Sequence, residues 1–303
     1  MRFWSLFLVF VFLMFLSGCS SQSSFNVFNP YTGSDALVVS LMPSAPPEIT
    51  YSGIPYKIGF KLTNYGALDI HNAYIVVGTD DFGGAKISNP SASFDLKGKK
   101  STHFFRGETT YKFFDAVAPK LTSSQQVTNI LLTYLVCYPY ETKSQISLCI
   151  DTNPYNPSSG GCRFSPSVDV APAGGPVNVV NVKESPVPLS SDTIKLRFVI
   201  TVKNLGNGLV LSYDNYKSLC DGSVDYKNLG KVKVSASLSG SPLECYPSSI
   251  SLMPSSANPE TAVFTCYSSP MKMRSSFTSL LTVDLKYGYF LSGSKKLQVY
   301  KLS

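Results

Sequence analysis

Cysteine is the residue type in this chain with the most chemistry to offer. Seven occur in 303 residues. Cys19 follows an apolar N-terminal run, and Cys137, Cys149, Cys162, Cys220, Cys245 and Cys266 lie further on. An even set in an oxidising compartment argues for disulfides, although six cysteines permit about 15 connectivities. Spacing offers a first pairing. CYPYETKSQISLC places Cys137 and Cys149 symmetrically about Lys143. A hairpin turning at 142–144 would set them opposite each other, close enough to bridge at a non-hydrogen-bonded position. Cys245 and Cys266 bracket ISLMPSSANPETAVF, a second expected hairpin, and pair likewise. Elimination then joins Cys162 to Cys220, clamping two parts of the chain together. The rival arrangement joins Cys149 to Cys162 and leaves Cys137 and Cys220 to find other partners. Each bridge contributes about 3 kcal/mol, mainly by restricting the unfolded chain.

Other chemistries find little support. No C-x-x-C pair is present, and His71 and His103 are the two histidines, so a zinc or thioredoxin-like site lacks its ligands. A Ser-His-Asp triad needs one of these histidines. His71 sits in LDIHNAY, two residues after Asp69, and His103 in KKSTHFFRGE among aromatic residues. No G-x-S-x-G nucleophile elbow occurs, so both read as surface or edge-strand histidines. Asp80-Asp81 before Phe82-Gly83-Gly84 has the carboxylates and glycines of a calcium loop without its repeated D-x-D spacing. It reads as a turn, and Asp151-Thr152-Asn153 is discounted in the same way. Any two of the 19 acidic residues could meet as a glycosidase pair, but no spacing singles one out. The expectation is therefore no catalytic residue, no metal and no cofactor. N-x-S/T sequons are spoiled by proline at Asn89-Pro-Ser and Asn156-Pro-Ser.

The N-terminus sets the compartment. Arg2 precedes an apolar run over residues 3–16, followed by Ser17-Gly18. That length suits a signal-peptide h-region of about 7–15 residues better than a membrane span of about 20. Leu16-Ser17-Gly18-Cys19 resembles the lipobox of prokaryotic lipoproteins. The resemblance implies cleavage before Cys19, lipidation of that cysteine, and a membrane-anchored, extracytoplasmic protein. Two or more acyl chains hold a protein stably on a bilayer. The next residues, 19–35, are rich in Ser and Asn and uncharged until Asp35, as in a flexible tether.

Composition narrows the partners. The net charge of +7 comes from scattered cations, with short clusters at Lys97, Lys99 and Lys100, at Lys272 and Arg274, and at Lys295 and Lys296. No long basic run or RNA- or DNA-binding signature is present, so nucleic acid is not an expected partner. Lysines on strand edges also discourage unwanted strand pairing. Charged residues make up only 15% of the chain while apolar content is 44%, which suits extracellular β-structure.

The elements that must carry these residues repeat. IGFKLTNYG at 58–66 and FVITVKNLG at 198–206 share an alternating run ending in Asn-x-Gly. LLTYLVCYPY at 131–140 and LLTVDLKYGY at 280–289 share the Leu pair, Thr and both tyrosines. Each half reads as short strands separated by turn residues: 37–42, 56–63, 73–78, 93–96, 102–105, 128–138 and 145–150 in the first; 177–183, 194–203, 231–238, 243–246, 262–267, 279–289 and 295–302 in the second. Residues 112–120 come nearest to helical periodicity and are broken by Pro119. The expected fold is all-β: a signal peptide at 1–18, a tether at 19–35, and two tandem immunoglobulin-like β-sandwiches at 36–165 and 166–303. SPSVDVAPAGGP would form the boundary.

KIGFKLTNYGALDIHNAYIVV and the following FDLKG resemble the CARDB-type immunoglobulin-like modules of bacterial and archaeal surface proteins. Asn64, Gly66, Asn72, Ala73 and Gly98 stand at the matching places, with a weaker echo over 198–211. The two-domain layout, with CYPYET, LCIDTNP and NLGNG, also resembles archaeal surface proteins. These likenesses speak to fold and not to an activity; with the lipobox and the lack of catalytic residues, the expected protein is a lipid-anchored surface protein that binds or scaffolds another protein or a glycan, without catalysis. The Asn/Pro/Tyr-rich loops FNVFNPY and CIDTNPYNPSSGGC are candidate contact loops. The alternatives are an accessory or catalytic subunit in envelope polysaccharide or protein processing, and a self-assembling surface-layer or filament subunit.

Overall fold

Alternating apolar and polar residues form strands in which every second side chain is buried. The computed structural model describes residues 28–80, 85–153, 161–223, 226–253, 260–273 and 275–302. The first half contributes β1 (Leu37–Leu41), β2 (Ile49–Tyr51), β3 (Pro55–Asn64), β4 (Ile70–Thr79), β5 (Lys86–Ser88) and β6 (Ser91–Leu96). A single helical turn, α1 (Lys99–Thr102), precedes β7 (Thr109–Val117) and β8 (Val127–Ile150). The second half contributes β9 (Ser167–Asp169), β10 (Val177–Pro188), β11 (Thr193–Asn204), β12 (Leu209–Leu211), β13 (Lys231–Leu238) and β14 (Ser241–Pro242). It continues with β15 (Glu244–Tyr246), β16 (Ser249–Ser251), β17 (Thr261–Tyr267), β18 (Met271–Lys272) and β19 (Phe277–Tyr300).

Among the described residues these strands make three sheets. One runs β1-β3-β7-β5 and belongs to the first half. Another runs β15-β17-β11-β10-β9, with β18 on β11, and belongs to the second. The third draws on both: β14-β13-β19-β8-β4-β6, with β2, β12 and β16 attached. A continuous set of buried apolar residues fills the space between them.

The shared sheet is organised by β8 and β19, each 24 residues long. They pair antiparallel from Val127↔Tyr300 to Ile150↔Phe277. Each strand serves both halves. Residues 132–137 of β8 pair with β4, and residues 281–286 of β19 pair with β13. The last part of β19 then crosses into the first half. It pairs with the start of β8 and, in parallel, with β2. The ammonium groups of Lys295 within it and Lys301 just past its end donate to the carbonyls of Pro46 and Ser123. Leu297 and Val299 are fully buried there, each stabilising by about 1.5–3 kcal/mol. Reciprocally, the last part of β8 carries Ile146, Leu148 and Ile150 into the core alongside the start of β19. The halves thus exchange a strand segment.

Pro139 lies opposite Gly288 at the centre of this ladder. The offset that takes Leu131 to Leu280 also takes Tyr138 to Tyr287 and Tyr140 to Tyr289. The observed pairs are Tyr138↔Tyr289 and Tyr140↔Tyr287, so the repeats meet about a local two-fold axis. The covering sheets obey the same relation: Leu37 faces Asn64 and Val177 faces Asn204.

Several sequence expectations are corrected. No hairpin turns at 142–144, because Glu141-Thr142-Lys143-Ser144-Gln145 contains no Gly, Asn or Pro to supply turn geometry. The chain runs straight through, and runs 128–138 and 145–150 are one strand, as are 279–289 and 295–302. Cys137 and Cys149 are therefore far apart along β8 and cannot bridge. The disulfides are Cys137–Cys220, Cys149–Cys162 and Cys245–Cys266. Cys162 does not meet Cys220; the rival pairing with Cys149 is the one observed. Cys245 sits opposite Cys266 in β15 and β17, but the chain between them leaves the sheet to form β16 on β13, so it is not a simple hairpin. Residues 102–105 are the end of α1 and a loop, while 112–120 belong largely to strand β7. The 166–176 boundary holds β9, and Gly33 bridges Ala173 there. The tether's described end is also held: Gly174 N–H donates to Gly33 O at 2.7 Å, and the Lys99 ammonium donates to Thr32 O at 2.5 Å. The signal peptide, Cys19 and residues up to 27 lie outside the described residues.

Candidate functional site

The two Asn-x-Gly corners shape the region where the halves meet. Asn64 Nδ2 donates to Leu68 O while its Oδ1 accepts from Gly66 N–H. Asn204 does the same with Gly208 O and Gly206 N–H. Each corner is then closed by a tyrosine: Leu68 N–H donates to Tyr140 OH at 3.2 Å, and Gly208 N–H donates to Tyr289 OH at 2.9 Å. A Cβ at Gly66 or Gly206 would land on that hydroxyl, which is why glycine stands in both places. Tyr138 and Tyr287 accept from Leu37 and Val177 N–H, at the starts of equivalent strands. The four rings form a closed square with centroids 5.8–6.2 Å apart.

Burial pushes all four phenols up, Tyr289 to about 12. Such shifts can mark catalytic groups. Here each hydroxyl satisfies buried backbone at a corner or strand start, so the square is the keystone of the duplicated fold.

Beside it, a cleft of about 410 Å³ is lined by Asp69, His71, Lys100, Ser101, Glu141 and Tyr213. The corner delivers Asp69 and His71, the start of α1 delivers Lys100 and Ser101, and β8 delivers Glu141. Tyr213 arrives from the second half on a loop that Cys137–Cys220 fixes to β8. The same loop is pinned to β4 by a hydrogen bond from Tyr216 OH to Asn72 O at 2.8 Å, with the Lys217 ammonium 5.4 Å from the Tyr74 ring. Burial raises the Asp69 pKa, but bonds from Ser101 Oγ (2.6 Å) and Gly98 N–H (2.7 Å), with the nearby His71 and Lys97 charges, outweigh it and leave the pKa lowered. Ser101 thus gives its proton to Asp69 rather than to an imidazole, which is not triad geometry. The cleft is open, polar and of mixed charge, suited to hydrogen-bonding a hydroxyl-rich or peptide surface.

A second cleft, of about 580 Å³, lies between residues 29–34, 144–147 and 169–173. The buried Ser144 hydroxyl on its lining has no hydrogen-bond partner. Near the far end of β8, Glu184 is buried in the second half, and burial pushes its pKa up to about 8; the Asp151 backbone N–H opposes this and the Asp151 carboxylate adds to it.

The remaining sequence candidates fall elsewhere. Asp80 Oδ1 accepts from Leu131 N–H at 3.0 Å, so it anchors β8; Asp81, Gly83 and Gly84 lie outside the described residues. Asp151 Oδ1 accepts from Asn153 N–H, forming a local turn. His103 ends α1 in the left-handed conformation. Residues 154–160 of the Asn/Pro/Tyr-rich loop are outside the described residues. Among those described, no group of three His, Cys, Asp or Glu side chains could hold a metal. Tyr213, Lys100 and Glu141 carried no sequence signal as a site, because they converge only through the Cys137–Cys220 clamp and the exchanged strands.

No protein-family model matches the chain. No curated protein matches it either. Among solved structures it is similar to a red sea bream transglutaminase, at 10% identity and a TM-score of 0.20, covering 88% of this chain and 31% of that one. It is also similar to the secreted serine protease VesC from Vibrio cholerae, at 10% identity and a TM-score of 0.19, covering 82% and 48%. Spo0M, a sporulation control protein from Bacillus subtilis, aligns at 9% identity and a TM-score of 0.16, covering 63% and 83%. The chain spans about a third and about half the length of the first two. At these scores the likenesses carry no argument about chemistry.

Proposed function

We propose that this protein is a lipid-anchored, extracytoplasmic surface protein in which two immunoglobulin-like sandwiches act as one rigid binding or scaffolding body. The observation that carries this reading is the reciprocal strand exchange locked by Cys137–Cys220. Strand order supports the sandwich assignment. The order β1-β3-β7-β5 opposite β6-β4-β8 follows the A-B-E-D and C-F arrangement of an immunoglobulin-like domain, and β10-β11-β17-β15 opposite β13-β19 repeats it. In each half the place of the last strand is taken by the other half's long strand. Three disulfides fit an oxidising, extracytoplasmic compartment. The cleft at Asp69, His71, Lys100 and Tyr213 is the surface offered to a partner protein or glycan. The detergent-solubilised full chain should bind a purified envelope glycan or surface protein saturably. Substituting Tyr213→Ala with Lys100→Ala should weaken that binding about 10-fold, as loss of central interface contacts does. Saturable binding untouched by the double variant would remove the cleft from the reading, and no binding to either partner class would remove the reading itself.

A further inference from the structure

An aromatic loop stands out of the first half beside the place where the N-terminal segment leaves the body. After α1, His103 turns the chain outward, and Phe104 and Phe105 are 70% and 91% exposed. They border a shallow hollow with Tyr65 and Arg106. The Phe28 ring packs edge-on against Phe105, with centroids 6.1 Å apart. The exit point is fixed, because residues 32–36 are bonded to the body through Lys99, Gly174 and Tyr65. Arg106 lines the same hollow and is exposed, while Glu108 directs its carboxylate to the Lys97 backbone N–H at 3.0 Å. Adjacent exposed phenylalanines with a cation at their base are the composition of a bilayer-seating element.

The length of chain outside the described residues decides the occupant. About nine residues separate Cys19 from Phe28, and fully extended they reach about 30 Å. A bilayer holding a lipid on Cys19 must therefore lie within that distance of Phe28, and Phe105 touches Phe28.

We infer that Phe104 and Phe105 insert into the bilayer that carries the protein's own anchor, with Arg106 on anionic headgroups, so that the body is seated on the membrane rather than swinging on its tether. The inference rests on the lipoprotein reading for its anchor, but the two are separately measurable. The one tryptophan, Trp4, precedes Cys19, so the chain after cleavage has none. Phe105→Trp therefore introduces a unique probe, and Tyr226→Trp places a control at a residue 77% exposed in the second half. Each full-length variant is expressed, reconstituted into phosphatidylglycerol vesicles containing lipids brominated on the acyl chains, and read by tryptophan emission, with intact mass taken on the same sample. F105W is expected to emit further to the blue and to be quenched several-fold more strongly than Y226W. Substituting Phe104→Ser and Phe105→Ser in a chain beginning at residue 19, with Cys19→Ser, should lower partitioning to the same vesicles on the order of 100-fold. Equal quenching of F105W and Y226W overturns the inference, whatever the mass shows. So does an F105W shift that follows protein concentration and not lipid, which would make the loop a contact between copies. An unlipidated mass with F105W quenched several-fold more strongly than Y226W retires the anchor and keeps the wedge, since any signal from a retained Trp4 is common to both variants.

Discussion

The two halves are alike at the dyad and different away from it. At the dyad the Asn-x-Gly corners, the tyrosines that close them and the strand starts they hold recur with the same backbone N–H bonds, while the hydroxyl protons go to different acceptors, Gly174 O from Tyr140 and Asn204 Oδ1 from Tyr289. One residue further out, equivalent positions diverge. Cys137 is disulfide-bonded to the loop of the other half, whereas its counterpart Lys286 pairs with Glu141 across the ladder at 3.4 Å. Among the described residues, the aromatic loop after α1 belongs to the first half, and the clamp loop carrying Tyr213 and Cys220 to the second. The difference teaches where duplication constrains sequence. Residues on the axis contact both halves at once, so a change there must fit two environments; residues off it answer to one.

The largest test removes the exchange. Deleting residues 292–303 takes away the segment of β19 that completes the first half, with Leu297 and Val299, and leaves Tyr289 at the second half's corner. We expect no cooperative melting transition by circular dichroism; a deletion variant that melts cooperatively near the parent temperature would show the halves to be independent. Next, Cys137→Ser should cost about 4.5 kcal/mol, since its bridge spans a separation of 83 residues, against about 3 kcal/mol for Cys149→Ser with a separation of 13. Denaturant titration that ranks them in the opposite order would break the view that the inter-half clamp dominates.

A third contrast is in pH response between about pH 4.5 and 8, where Glu184 of the second half titrates. Glu184 holds its proton in the fold up to about pH 8 but loses it near 4.5 when unfolded. Between those values the unfolded chain binds fewer protons, so stability falls as pH rises, by about 1.4 kcal/mol per unit at most. Below the unfolded value the penalty vanishes, and above pH 8 it is constant. Glu184→Gln should flatten this slope and raise the melting temperature at pH 8; an unchanged slope would place the titration elsewhere. Smaller still, Tyr140→Phe and Tyr289→Phe should each cost about 1–3 kcal/mol, because each strips a corner N–H of its partner, the part-buried Leu68 N–H or the buried Gly208 N–H. Near-equal losses support the dyad, while a loss confined to one half breaks the equivalence. Last, Lys143→Ala should cost about 0.5 kcal/mol through its partly exposed pair with Asp284.

Much of this was legible in residue order. The period-two runs become the strands, and the echo of LLTYLVCYPY in LLTVDLKYGY is the dyad. Asn64, Gly66 and Gly98 are visible as special: Asn64 bonds the corner backbone, and the glycines stand where a Cβ would clash, that of Gly98 with the Leu68 carbonyl. Cys245 and Cys266 lie on paired strands, although the chain joining them detours into the other sheet. The candidate cleft was hardly legible, since Asp69 and His71 were noticed for a triad they do not form.

What the sequence by itself determined was local: β-structure from alternation, the corners from Asn and Gly, the even cysteine set, and the repeat. The tertiary structure alone decided which strand completes which half, that Cys137 finds Cys220, that Glu184 keeps its proton, and that Tyr213 faces Asp69. The physical reason is that alternation states which face of a strand is buried but not against what. A strand of 24 residues with no turn former must find its partner elsewhere in the chain, and here that partner is its own repeat.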